Sequence, residues 1–281
     1  MLAALLACGV DVKRTCLFFQ EDIAEHAELA WYLNTITPVG RLQRMTTWKS
    51  RLDSSRIGSD NEISDLDLRL GLLAYPVLQA ADILLYKSTV VPVGEDQRQH
   101  IELSRDIAGS FNRTFEEIFP IPEARIVPSK RILSLRDVSQ KMSKSAPNPS
   151  SRISITDSPD LIISRIKAAV TDSLPTVTYE PHSRPGVSNL LLIWSALDAS
   201  NRAPEDLAEE AQRDGWGMGR LKEVVGEVVV ERLKPIRKEY ERIRGQQGYL
   251  REVAVKGRLR AGEAAAKTME EVRKTVGLSR I

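Results

Sequence analysis

Cysteine and histidine are scarce in this chain: two of the first, Cys8 and Cys16, and three of the second, His26, His100 and His182, among 281 residues. Their spacing matches no zinc pattern, and two thiols build no disulfide framework. No metal site is implied, and the low thiol count fits a reducing interior compartment. A surplus of one charge sign is also missing: 40 Lys and Arg face 38 Asp and Glu, for a net charge of +2. Composition therefore does not mark a nucleic-acid binder, and any basic surface has to be local. Aromatics make up 5% of the chain, and Trp31 and Trp48 read as packing groups rather than stacking platforms. The opening apolar run MLAALLACGV has no basic residues ahead of it and is too short for a secretion signal. No membrane partner is expected, and the sequon Asn112-Arg113-Thr114 reads as unused.

What the chain does have is the balance of a folded enzyme, 42% hydrophobic and 28% charged, with length enough for two domains. Residues 1–10 read as a helix stopped by Gly9, and residues 15–19 (TCLFF) as a buried strand. A helix feeding a strand with no strand ahead of it leads us to expect a chain that begins in mid-unit. An amphipathic helix follows at 25–34, interrupted at Thr37-Pro38-Val39-Gly40 and resumed over 41–49, and then a polar loop at 51–65. Residues 66–86 are apolar almost throughout and predict a largely buried helix, broken or bent at Pro76.

Within that helix lies one carboxylate, Asp82. Burying it uncompensated costs roughly several kcal/mol, so it should be paired or face a cavity. An ion pair and a ligand's hydrogen-bond acceptor remain equally open. A β-branched strand at 89–93 then ends at Gly94 and leads through Glu95-Asp96-Gln97 into a helix over 97–111, on which Leu103, Ile107 and Phe111 share a face. Open α/β sheets bind ligands at such strand ends. Carboxylates repel phosphate, so Glu95 and Asp96 are expected to accept from ribose hydroxyls or an ammonium, with Gly94 letting the backbone come close.

The stretch on which the rest depends is Lys141-Met142-Ser143-Lys144-Ser145, followed by Ala146-Pro147-Asn148-Pro149. Two ammonium groups interleaved with hydroxyls and bounded by a breaker suit a loop that grips a polyanion, because a lysine is a movable point charge. Helices are expected at 158–170 and 188–199 with an extended connector at 174–186. The glycine-rich Gly215-Trp216-Gly217-Met218-Gly219 reads as a helix-helix turn rather than a phosphate loop. Two long charged helical runs follow, at 219–243 and 251–276, with Pro235 punctuating the first. In the first, Lys222, Glu223, Glu227 and Glu231 are expected on the solvated face. In the second, Lys256, Arg258, Arg260, Lys267, Arg273 and Lys274 are candidates to meet RNA phosphates.

KMSKS, the run YPVLQAADILLY at 75–86 and VPVGEDQRQHIELSRDIA at 91–108 together resemble the tryptophanyl-tRNA synthetases of class I, more the animal mitochondrial form than the bacterial one. The resemblance covers nearly the whole chain; tyrosyl enzymes share the fold but fit the AADILLY and GEDQ blocks less well. It implies an α/β fold with a Rossmann-like doubly wound parallel sheet (first βα unit missing), then an α-helical C-terminal domain. Residues 1–150 would form the nucleotide-binding catalytic domain and 151–281 the helical tRNA anticodon-binding domain. It implies a tryptophan-tRNA ligase that activates L-tryptophan with ATP and Mg²⁺ to the adenylate and passes it to tRNA(Trp), as a homodimer in the mitochondrial matrix. Site by site, Asp82 would accept from the indole N–H and Gln97 would sit beside the amino acid. Gly94, Glu95 and Asp96 would contact ATP, Ile132 would pack near adenine, and Lys141, Met142, Ser143, Lys144 and Ser145 would bind ATP, the two lysines as catalytic groups.

Two departures stand against a direct transfer. The HIGH-like block of the family is not found in the chain, which leads us to expect a truncated front, and Ala146 stands where the family usually has Asp after KMSKS, which bears on loop anchoring. The alternative reading is a non-catalytic product that retains tRNA-binding or dimer-forming helices.

Overall fold

The computed structural model describes residues 1–45, 69–126 and 131–278. Trp48 and the polar loop expected at 51–65 lie outside them. In chain order the helices are α1 (Leu2–Ala7), α2 (Glu25–Ile36), α3 (Val39–Gln43), α4 (Leu70–Leu84), α5 (Arg98–Thr114), α6 (Pro159–Lys167), α7 (Pro185–Leu197), α8 (Pro204–Arg213), α9 (Met218–Arg244) and α10 (Gln247–Thr275). The strands are β1 (Val90–Val93) and β2 (Glu123–Ile126). Two compact units form, each discontinuous in sequence: Met1–Thr15 with Ser129–Leu250, and Cys16–Pro128 with Arg251–Ile281. They cut the chain differently from a division at Ser150.

In the second of these units β1 and β2 pair in parallel, from Val90 opposite Glu123 to Val93 opposite Ile126. Parallel strands need a crossover. Here α5 supplies it, and its buried Leu103, Ile107 and Phe111 pack with Leu29 and Leu33 of α2 and Val77, Ala80, Ala81 and Leu84 of α4. Ala261, Ala265, Met269 and Val272 of α10 complete that core. The α/β class with a parallel sheet and a helical C-terminal part is as the sequence predicts.

Pro76 does not break α4, which runs continuously through it. A proline removes only the bond to the carbonyl four residues back, here Leu72, at a half-buried position where that carbonyl can find another partner. Pro235 likewise sits inside α9 without ending it, the carbonyl it deprives belonging to exposed Glu231. The strand expected at 15–19 is a second correction: among the described residues this segment joins no ladder. It is extended at Phe19, and its Leu17 carbonyl lies against Gly257 of α10.

In the unit built from Met1–Thr15 and Ser129–Leu250, α9 packs against α6, α7 and the short α1, which ends before Gly9 at φ +94°. Ile162 and Ile166, Leu190, Leu191 and Trp194, Leu207 and Ala211, and Leu221, Val225 and Val229 form one core from four helices. Gly186 opens α7 where a Cβ would meet the Val170 carbonyl at 2.3 Å, so only glycine fits. The turn from α8 to α9 uses Gly215 at φ +68° and lays Trp216 on Trp194 at 5.6 Å between ring centroids. Arg202 caps the outer face of Trp194, and Arg220 that of Trp216, each at 5.7 Å. This is the helix-helix turn expected of the GWGMG run. Lys222 corrects the expectation of a solvated side chain: half-buried, its ammonium donates to Ala169 O at 2.8 Å, and desolvation lowers its pKa. No described helix is long and apolar enough to cross a membrane.

Candidate active site

Asp82 projects from α4 after a run of apolar residues, and its side chain is 35% exposed. Two donors from the preceding chain converge on Oδ1: Gln20 Nε2 at 2.6 Å and His26 Nδ1 at 2.7 Å. Helix α2 carries His26, 4% exposed, and the other ring nitrogen of that histidine lies 2.9 Å from the Tyr86 hydroxyl. Phe18 packs over both rings, with centroids 6.0 Å from His26 and 5.3 Å from Tyr86. Burial, with Cys16, Asp82 and Glu25 adding, pushes the Tyr86 phenol up to about 12. Oδ2 of Asp82 has no hydrogen-bond partner among the described residues.

One helical turn before Asp82, Gln79 donates to Gln97 Oε1 at 3.3 Å, and its own Oε1 lies 2.5 Å from His100 Nδ1. Residues three apart share a helix face, so α4 presents Asp82 and the partner of Gln97 on one side. The expected strand-end cluster follows β1 as a single 3₁₀ turn, Glu95–Gln97. Within it Glu95 is taken up by Arg98, at 2.7 and 2.9 Å, which holds its carboxyl below the usual range. Asp96 accepts from Gln97 Nε2 at 2.9 Å. Gly94 is extended, with no positive φ; a Cβ there would meet Asp96 Oδ1 at 2.7 Å, so the missing side chain serves proximity to that carboxylate.

The KMSKS stretch belongs to the other compact unit. An antiparallel bridge pairs Leu133 with Lys141, and Met142 N donates to Ile132 O at 2.9 Å, which sets Ile132 beside the base of the loop. Beyond the bridge Ser143 and Ser145 hydroxyls lie 3.0 Å apart. Both lysines are exposed, and neither ammonium is paired among the described residues. With Ala at 146, the loop is anchored instead through its backbone: Arg152 donates to Ala146 O at 2.8 Å, and Asn148 caps the following 3₁₀ turn.

Such an arrangement offers a half-exposed acceptor beside an amide network in one unit and two free ammonium groups on a tethered loop in the other. A sequence model of the family described as tRNA synthetases class I (W and Y) matches residues 1–234. The chain belongs to that family. It is 43% identical over 281 residues to a tryptophan–tRNA ligase of Bacillus anthracis, covering 99% of this chain and 81% of that one. It is 42% identical over 282 residues to the mitochondrial tryptophan–tRNA ligase of Saccharomyces cerevisiae, covering 98% and 74%. Among solved structures it resembles the tryptophanyl-tRNA synthetase of Campylobacter jejuni complexed with ADP and tryptophan. That structure has a TM-score of 0.78 and is 31% identical to this synthetase chain, covering 99% of it and 81% of the neighbour.

Several residues around these groups in the synthetase chain escape a reading of the sequence. Gln20, His26, Gln79, His100 and Tyr86 all hold a candidate site residue or its partner. A lone histidine on an amphipathic helix looks the same whether it fills the core or holds a carboxylate 56 residues away. Asn189 is another such residue. Only 2% exposed on α7, it accepts from Leu133 N at 2.7 Å and donates to Leu133 O at 3.0 Å, clamping the strand from which the KMSKS loop departs. Asn189→Ala strands both backbone groups, and we expect a loss of about 2 kcal/mol in urea denaturation. Amide exchange should quicken at Leu133 and Met142 while Ile162 and Ile166 keep their protection; uniform exchange across the unit would deny Asn189 this local role.

Proposed function

We propose that this chain is a tryptophan–tRNA ligase in which Asp82 and Gln97 hold the amino acid and the Lys141–Ser145 loop holds ATP. The observation that carries the activity is the 43% identity, over 99% of this chain, to a tryptophan–tRNA ligase. In the first step a carboxylate oxygen of tryptophan attacks the α-phosphorus of ATP and the bond to the bridging oxygen of the β-phosphate breaks. Pyrophosphate leaves, and tryptophanyl-adenylate remains. A hydroxyl of the 3′-terminal adenosine of tRNA(Trp) then attacks the acyl carbon and displaces AMP.

Little covalent work falls to the protein, which positions the reactants and stabilises charge. Asp82, with Oδ1 occupied, keeps Oδ2 for the indole N–H. Gln97, tied to Gln79 and Asp96, lies beside the α-amino group. Gly94, Glu95 and Asp96 serve ATP, and Ile132 packs against adenine. Since Glu95 is already bidentate with Arg98, its share in ATP binding passes through that pair. Lys141 and Lys144 meet the growing negative charge on the leaving pyrophosphate, and their lack of competing carboxylates among the described residues supports that role. Mg²⁺ would enter with ATP and would add positive charge at the phosphates beside Lys141 and Lys144.

We assign nucleotide binding to residues 1–150 and tRNA anticodon binding to 151–281. In the latter segment Arg273 is paired with Glu28 at 2.7 and 2.5 Å, so it would exchange that carboxylate for an RNA phosphate. A homodimer is supported by large apolar side chains left exposed on the protomer, among them Trp31 at 69%, which does not pack within the protomer in the way its sequence context suggests. Likeness to a yeast mitochondrial enzyme supports the mitochondrial matrix, alongside equal likeness to bacterial ones.

Tryptophan-dependent exchange of labelled pyrophosphate into ATP by the chain as it stands tests this reading. Exchange that tyrosine does not support is the expected result. Absence of exchange with tRNA(Trp) binding intact would instead favour a non-catalytic product that keeps the tRNA-binding or dimer-forming helices.

A further inference from the structure

The position of His26 has a chemical consequence for which substrate is chosen. An ionised carboxylate only accepts hydrogen bonds. The ring nitrogen 2.7 Å from Asp82 Oδ1 must therefore carry a proton, and in the neutral ring the nitrogen 2.9 Å from the Tyr86 hydroxyl is the acceptor of the phenol O–H. Tyr86 can supply that proton because its burial keeps it a phenol well beyond neutral pH. The chain of donors runs Tyr86 to His26 to Asp82, and Gln20 adds a second donor to the same oxygen at 2.6 Å. Both donors fall on Oδ1, and neither on Oδ2. A carboxylate held by one oxygen cannot rotate freely about its Cβ–Cγ bond, so the other oxygen points in a fixed direction. The His26 ring is itself fixed between Phe18 and Tyr86 and nearly excluded from solvent.

We infer that His26, relayed by Tyr86, is a positioning residue that aims Asp82 Oδ2 at the indole N–H and so sets discrimination for tryptophan over analogues that lack that N–H. The inference rests on the reading of Asp82 as the indole acceptor and adds how its direction is fixed. A site built to receive an N–H rejects a ligand without one because a buried polar atom is then left unpaired. An acceptor free to turn away to solvent loses much of that penalty, since Asp82 is 35% exposed.

The test compares dissociation constants of the full chain for tryptophan and for 3-benzothienylalanine, in which sulfur replaces the indole N–H. In His26→Ala the preference for tryptophan should shrink about tenfold, the size of one charge-assisted hydrogen bond, with affinity for the sulfur analogue nearly unchanged. His26→Asn, whose amide can donate from nearly the place of Nδ1, should restore most of it. Tyr86→Phe keeps the ring packing and removes the relay, and should give a smaller loss of the same kind; it also covers the case in which His26→Ala fails to fold. Equal weakening toward both ligands in His26→Ala and none in Tyr86→Phe would make His26 a packing group and overturn the inference alone. If the wild-type chain fails to prefer tryptophan, or Asp82→Ala leaves the preference intact, the reading of Asp82 itself fails and the inference with it.

Discussion

Lys144→Ala is expected to slow tryptophanyl-adenylate formation about a hundredfold in single-turnover measurements, with the dissociation constant for tryptophan changed by less than about twofold. The separation follows from where the ammonium is. Lys144 is exposed on a loop whose base is fixed by the Leu133–Lys141 bridge and the Met142 bond to Ile132, and no described carboxylate neutralises it. A charge in that setting does little for the amino acid in its ground state. In the proposed role it interacts most strongly when negative charge accumulates on the departing pyrophosphate, so its removal should appear in the rate. Because the anchoring bonds are made by backbone atoms and by Arg152, replacing the Lys144 side chain leaves the loop tethered. Equal losses in rate and in tryptophan affinity would mean that the lysine organises the site as a whole, and the assigned role would fall.

How far this could be read from the residues depended on whether the cause of a feature was local. Helices α2, α4, α5 and α9 were legible because each carries its own apolar stripe, and the strand at 90–93 because β-branched residues run up to a glycine. The Asp82 reading was legible for a related reason: a carboxylate in an apolar stretch demands a partner. Which partner it takes was not legible. Gln20 and His26 reach it from other elements at sequence separations of 62 and 56, and nothing in the spacing of either announces that. The segment at 15–19 failed for the opposite reason. Its composition favours a strand, but strands exist only as pairs, and here the backbone is occupied by close packing on α10. A break or bend is expected at Pro76 and a punctuation of the run at Pro235, yet both helices continue, because a helix tolerates a proline when the carbonyl it deprives lies toward the surface and the rest of the helix is held by its core contacts.

 That packing of 15–19 on α10 yields the largest stability effect we expect. At Gly257 a Cβ would lie 1.6 Å from Leu17 O and 2.6 Å from Leu17 C. The atoms a Cβ would meet are backbone, and backbone cannot rotate aside as a side chain can. Cys16 Sγ adds to the closeness by donating to Gly257 O at 3.4 Å. Alanine in mid-helix would ordinarily gain about 1 kcal/mol over glycine. Here the overlap decides the sign, because relieving it requires separating α10 from residues 16–18, and we expect Gly257→Ala to destabilise the protein by about 3 kcal/mol or more in urea denaturation. Gly262→Ala is the control on the same helix: its Cβ would meet only Ile23 Cδ1 at 3.7 Å, an ordinary contact, so stability should hold or rise. The strain also has a route to the site, since Phe18, next to Leu17, packs on the His26 and Tyr86 rings that steady Asp82. Gly257→Ala protein that remains folded at low temperature should therefore bind tryptophan more weakly than Gly262→Ala protein. Matching stability and affinity in the two variants would mean that the approach of Leu17 to Gly257 is loose, and that residues 16–18 are not held by α10.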